Sequence, residues 1–131
     1  MEKINNEYYV SLELAKLLKK AGFDWETEYA YVDELFCPMR SFSSNFNSWG
    51  IKIHEFVSAP TLDVAQRWLR EVKNIRLFVE GGNEYYVVES YIRYKNCWCP
   101  TGICHNGLEY ERFNTYEEAL EAGIKKHLKS F

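Results

Sequence analysis

Several things are missing from this 131-residue chain, and each absence removes a class of function. No stretch approaches the ~20 apolar residues that a bilayer-spanning helix needs. The opening MEKINNEYYV has no apolar core of the secretory-signal type, so the expectation is a soluble protein that stays in the cytoplasm, with no membrane partner. Neither GxxxxGK[ST] nor GxGxxG occurs, so the common phosphate-cradling loops are missing. Excess positive charge is missing too. The 16 Lys and Arg are outnumbered by 19 Asp and Glu, for a formal net charge of −3. Nucleic-acid binding rests on a positive field, so nucleic acid ranks last among partners. There is no low-complexity tract and no linker, and the length suits one globular domain spanning 1–131.

What is present is mostly ordinary, with 47% hydrophobic and 27% charged residues. A chain of this size buries roughly two-thirds of its unfolded surface and folds without metal or disulfide staples. Aromatic content stands out at 17%, with 10 Tyr, 8 Phe and 4 Trp. A tyrosine keeps a polar tip, so this abundance points to a half-wet sheet face or a contact surface as well as a core.

Three segments read as amphipathic helices. In SLELAKLLKKAGF, Ser11 is the N-cap, Leu14, Leu17, Leu18 and Ala21 form one stripe, and Gly22 supplies a left-handed stop. In APTLDVAQRWLREVKN, Pro60 and Thr61 start the helix, Ala65, Trp68, Leu69 and Val72 form the stripe, and Asn74 closes it. In NTYEEALEAGIKKHLKSF, Thr115 and Glu118 make a capping box ahead of the stripe Tyr116, Leu120, Ile124 and Leu128. His127 sits where a cation would complement the helix dipole.

Strand alternation is expected near 28–32, at 51–57 with Ile51 and Ile53 on one face, and across a hairpin from IRLFVE to EYYVVESYIRYK. Gly81-Gly82 is the expected source of positive φ at that turn. LEYERF reads as a further strand, and residues 35–50 as a long aromatic loop. The sum is an α+β domain: an antiparallel sheet of about four to five strands with the three amphipathic helices packed on one face.

The three helical blocks together resemble a group of short uncharacterised proteins encoded by phages and prophages of gut anaerobic bacteria. That resemblance covers roughly a third of the chain. It implies a setting, a small accessory protein of a mobile element in a bacterial host cytoplasm. It implies no activity and no catalytic residue.

Chemistry is hinted at only in CWCPTGICH. Cys97, Cys99, Cys104 and His105 are four zinc-type donors, but their spacing is C-x-C followed by an adjacent Cys-His. Zinc sites favour C-x₂₋₄-C with a second, distant pair, so a better set would recruit Cys37 and His54 as well. The leading expectation is thiols packed as small hydrophobes in a strand connection, with no cofactor and zinc as the alternative. A Cys–His nucleophile has no local signature here, so enzyme activity is not the favoured reading.

Two surfaces are candidates for binding. Alternation along the second hairpin strand turns Tyr86, Val88, Ile92 and Tyr94 toward the helices, leaving Tyr85, Tyr91, Arg93 and Lys95 outward. Tyr and Arg are enriched in protein interfaces, against the plainer reading of a solvated sheet face. In the 35–50 loop, Phe42, Phe46 and Trp49 either fold down over a core edge or reach for a partner. The expected function is a non-enzymatic accessory protein that binds a host or phage protein, as an inhibitor of a host defence would, or that self-associates. The alternatives are a small-ligand or nucleotide-sequestering protein, then a zinc-stabilised module or small hydrolase.

Overall fold

A computed structural model describes residues 8–39, 43–50, 53–82, 84–101, 105–106 and 109–129. The fold is α+β, with elements in the order α1 (Leu12–Ala21), β1 (Tyr29–Val32), β2 (Leu35–Pro38), β3 (Phe56–Ser58), α2 (Leu62–Val72), β4 (Ile75–Gly81), β5 (Tyr86–Tyr94), β6 (Cys97–Pro100), β7 (His105–Asn106), β8 (Glu109–Tyr110) and α3 (Tyr116–Leu128). The strands do not form the single sheet expected. Among the described residues they form two three-stranded antiparallel sheets, β2-β1-β3 and β4-β5-β6, and a two-stranded ribbon, β7-β8. No described helix is long and apolar enough to cross a membrane. The chain divides into two compact units, Met1–Thr61 and Leu62–Phe131, with one three-stranded sheet in each.

Two tight turns explain the extra strands. Val32 pairs with Leu35 across Asp33 and Glu34, whose φ angles are 49° and 72°. Tyr94 pairs with Cys97 across Lys95 and Asn96, at 45° and 66°. Positive φ at both central residues is the type I′ pattern, whose twist matches that of the paired strands. Neither Asp-Glu nor Lys-Asn announces such a turn, so residues 35–38 read as loop and CWCP as an interruption.

In the first unit, α1 is fixed at both ends. Ser11 Oγ accepts the Leu14 N–H at 3.2 Å. Gly22, at φ 99°, donates to Lys19 O at 3.1 Å while Phe23 N–H reaches Leu18 O at 2.9 Å, a Schellman closure. Leu14, Ala15 and Leu18 are buried. Of the strand expected at 51–57, Phe56 and Val57 are found in β3 and Ile53 is 82% exposed in the turn before it, while Ile51 lies outside the described residues. The free edge of β3 is blocked by side chains: Lys19 Nζ donates to Phe56 O at 2.9 Å and Asn47 Oδ1 accepts Ser58 N–H at 2.8 Å.

Both faces of the first sheet carry aromatic packing. Ala30 and Phe56 form a buried cluster with Phe46, joined by Val32, Met39 and Trp49. On the other face Tyr29 stacks on Phe36 with ring centroids 5.2 Å apart and 5° between planes. Tyr9 lies 4.7 Å from Tyr29 and 5.2 Å from Phe36, and Tyr31 Oη donates to Val10 O at 2.8 Å.

In the second unit, α2 and α3 pack against one face of β4 and β5. Ile75, Leu77 and Val88 are buried on that face. The helices contribute Leu62, Ala65, Trp68 and Leu69 from α2, and Ala119, Leu120, Ile124 and Leu128 from α3. Val72, counted in the α2 stripe, is exposed, and so is Ile92, which pairs with Cys99 toward the sheet's third strand. Asn74 closes α2 at φ 56° as expected. Thr115 Oγ1 accepts Glu118 N–H at 3.1 Å, while the Glu118 carboxylate reaches one residue further back than a standard box, to Asn114 N–H at 3.3 Å.

The hairpin from β4 to β5 does not use its glycines as expected. Neither Gly81 nor Gly82 adopts a left-handed φ. Gly81 is instead a matter of space: a Cβ there would sit 3.0 Å from the ring of its cross-strand partner Tyr86.

His127 is buried rather than displayed at the end of α3, and burial lowers its pKa. The neutral ring is the folded form, so the unfolded chain binds the extra proton. Stability from this group is therefore complete above the ordinary histidine pKa of about 6.5 and is lost as pH falls below it. Urea unfolding is expected to give a lower unfolding free energy at pH 5.5 than at pH 7.5, by up to ~1.4 kcal/mol per pH unit. His127→Leu should flatten that dependence, and an unchanged slope in the variant would assign it to another group.

Candidate docking face

The side of β4-β5-β6 away from the helices is built by strand alternation. β4 presents Arg76, Phe78 and Glu80, which pair in register with Tyr91, Glu89 and Val87 of β5. β5 continues to Arg93, which pairs with Trp98 of β6. The helices fill the opposite face, so these side chains have nothing from α2 or α3 above them, and Phe78 is 42% exposed.

Aromatic rings and a guanidinium order this surface. The Arg76 guanidinium carbon lies 5.2 Å from the Phe78 ring centroid and 5.1 Å from that of Trp98. Phe78 meets Tyr91 edge-to-face, with centroids 5.6 Å apart and 82° between planes. A guanidinium held between two rings loses little rotamer freedom when a partner arrives, because its stem and plane are already placed. Arg76, Phe78, Glu80, Glu89, Tyr91 and Trp98 line a shallow recess of ≈ 360 Å³. Burial raises the Tyr91 pKa, and the Glu89 carboxylate, which accepts its hydroxyl, raises it further together with Glu80.

Charge is sorted along the strands. From one end to the other the levels run Arg93 with Trp98, Arg76 with Tyr91, Phe78 with Glu89, and Glu80 with Val87, so the arginines occupy the first two levels and the glutamates the last two. Outward positions repeat every ~6.6 Å, so Arg76 and Glu80 are about 13 Å apart along β4. Among the described residues no ion pair joins the arginines to the glutamates.

The structure distributes the sequence-derived candidates unevenly. Tyr91 and Arg93 do lie on the outer face. Tyr85 precedes β5, and its ring is covered by the Arg112 guanidinium at 4.5 Å. Lys95 is the first residue of the β5-β6 turn rather than part of the face. Phe46 is fully buried and Trp49 packs edge-on against both Phe46 and Phe56, so these two rings fold down into the first unit's core. Phe42 lies outside the described residues.

Cys97 and Cys99 share the face of β6 opposite Trp98, and with Cys37 they are free thiols. Among the described residues no three His, Cys, Asp or Glu side chains come together as a metal site. Cys104 and the His105 side chain lie outside that description. His54 is engaged elsewhere: its Nδ1 lies 2.5 Å from Asp33 Oδ2, and Asp33 Oδ1 accepts Glu55 N–H at 2.9 Å. Those bonds hold the Asp33 carboxyl below its ordinary pKa, the backbone one first.

Sequence reading missed Arg76, Phe78, Glu80, Glu89 and Trp98. A signal existed for most of them. Alternation along IRLFVE puts Ile75, Leu77 and Val79 on one face, which leaves Arg76, Phe78 and Glu80 on the other. Trp98 is hidden because the stretch around it reads as a connection between strands rather than as a strand. Compared with protein-family models, with curated proteins and with solved structures, the chain matches none.

Proposed function

We propose that this is a non-enzymatic binding protein whose partner is a protein docked on the outer face of β4-β5-β6. The observation that carries this reading is the pre-ordered Phe78–Arg76–Trp98 stack beside an open recess. Tyr, Trp and Arg dominate the energetics of protein interfaces because they bury much area for few rotors. The resemblance of the helical blocks to short phage and prophage proteins points to an accessory protein of a mobile element. In that setting the partner is a protein of the bacterial cytoplasm, a host or phage protein or a second copy of the chain, and inhibition of a host defence is one role it fits.

A second reading has one observation in its favour. The recess of ≈ 360 Å³ falls at the lower end of the range for small-molecule sites, roughly 300–1,000 Å³. Glu80 and Glu89 in its wall oppose an anionic nucleotide, which ranks protein docking first.

Affinity capture from lysate, comparing the wild type with Phe78→Ser and Trp98→Ala after circular dichroism has shown both folded, tests the proposal. Both variants should lose a protein that the wild type retains. An identical captured set from all three would remove the face from the function, and a thermal-shift response to a small molecule that Trp98→Ala abolishes would favour the second reading.

A further inference from the structure

The sorted charges of the outer face say what can lie on it. A surface with arginines on its first two levels and glutamates on its last two is complementary to itself when turned end for end. We propose that the partner on this face is a second copy of the chain, forming a face-to-face dimer about a two-fold axis that lies between the sheets and runs across the strands. This rests on the reading of the face as a protein-docking surface and names its occupant.

The geometry follows from the register. A two-fold across the strands reverses strand direction. With the axis between the Arg76–Tyr91 and Phe78–Glu89 levels, the level of Arg76 lies over that of Glu89 and the level of Arg93 over that of Glu80, each acid one strand to the side of its arginine, and the pairing repeats at the opposite end. The axis then passes between the levels of Tyr91 and Phe78, so Phe78 of one copy lies beside Tyr91 of the other near the centre, where a fully desolvated contact is worth most. A two-fold along the strands would instead place arginine over arginine and glutamate over glutamate. The same charges therefore select one orientation and reject the other. Aligned sheets pack ~10 Å apart, a gap that Phe78 and Trp98 side chains fill from both sides.

Size sets the strength. Three strands at ~4.8 Å spacing make a face about 15 Å wide, at the small end for a stable interface. The dimer is accordingly reversible, with a dissociation constant in the micromolar range of about 10–100 µM.

Sedimentation velocity on the full chain, from about 1 µM to about 500 µM, reads this directly. The wild-type mass should rise from one chain toward two across the range, and added salt should push it back. The double variant Glu80→Arg/Glu89→Arg and the double variant Arg76→Glu/Arg93→Glu should each stay monomeric, their dissociation constants raised at least ~10-fold. Mixing the two variants in equal amounts should restore a dimer, because one face is then wholly basic and the other wholly acidic. A wild-type mass that stays at one chain throughout overturns the dimer. So does a dimer that survives both reversals, since it must use another surface. The capture experiment is read separately: a monomeric wild type that still loses a bound protein on Trp98→Ala removes the second copy and keeps the docking face, whereas no dimer and no such loss removes both.

Discussion

Replacing Trp68 with alanine is expected to cost about 3–5 kcal/mol of stability, the range for deleting a large aromatic from a core. Trp68 is only 1% exposed and is the bulkiest of the fully buried side chains. It lies in the buried stripe of α2 with Leu62, Ala65 and Leu69, and α2 rests on β4 and α3. The Lys73 amine lies 5.6 Å from its ring centroid, so the substitution removes a cation–π contact as well as apolar burial. Whole domains have only ~5–15 kcal/mol to lose. The variant should therefore unfold at a much lower urea midpoint with an unchanged slope, while Trp68→Phe loses far less. A loss below ~1 kcal/mol on Trp68→Ala would mean that the site collapses around the gap and that α2 is held chiefly by its other buried residues.

The parts of the fold written in local chemistry were legible in the sequence, and the parts imposed by pairing were not. Ser11, Gly22, Asn74 and Thr115 each act at a helix end where their side chain or backbone freedom has a defined use, and each is found doing so. Helix boundaries followed. The third strand of each sheet did not, because its turn is built from Asp33-Glu34 or Lys95-Asn96. Left-handed φ costs an ordinary residue about 1 kcal/mol, so Glu34 and Lys95 adopt it only because the ladders on either side demand it. A single-sequence reading sees the cost and not the ladder.

The same distinction divides the candidate site. Tyr91 and Arg93 were legible from the alternation of one strand. Trp98 required knowing that Cys97–Pro100 is a strand, and the stack of Arg76 between Phe78 and Trp98 required the register that sets three strands side by side. Phe46 and Trp49 show the converse. A loop rich in aromatics resembles a binding loop in sequence, but these rings complete the cluster around Ala30 and Phe56. A three-stranded sheet with one α-helix beside it needs such a cover on its other face to bury enough apolar surface.

Gly123→Val should destabilise the protein by about 3 kcal/mol, although every common scale ranks glycine as a poorer helix former than valine. Gly123 is buried in α3, where the helix crosses the sheet. A Cβ at this position would lie 2.9 Å from Val88 Cγ2 and 3.4 Å from both Val88 Cγ1 and Leu77 Cδ2. The first distance is shorter than real carbon contacts allow, so either Val88 turns to another rotamer or α3 lifts from β5. Alanine separates the two responses. Removing glycine from a helix interior is worth ~1 kcal/mol, and overpacking costs ~1–3 kcal/mol, so Gly123→Ala is expected to be a net loss of about 1 kcal/mol. Val88→Ala alone should lose about 1–2 kcal/mol through the cavity it leaves. In the double variant the new methyl group at 123 enters the space that the Val88 methyls vacate, so the two losses should not add. Urea unfolding of all four chains measures that coupling, expected at about 1 kcal/mol or more in the favourable direction. Strict additivity would mean that α3 accommodates the methyl group by shifting as a body, and that Gly123 is not what sets the distance between this helix and β5.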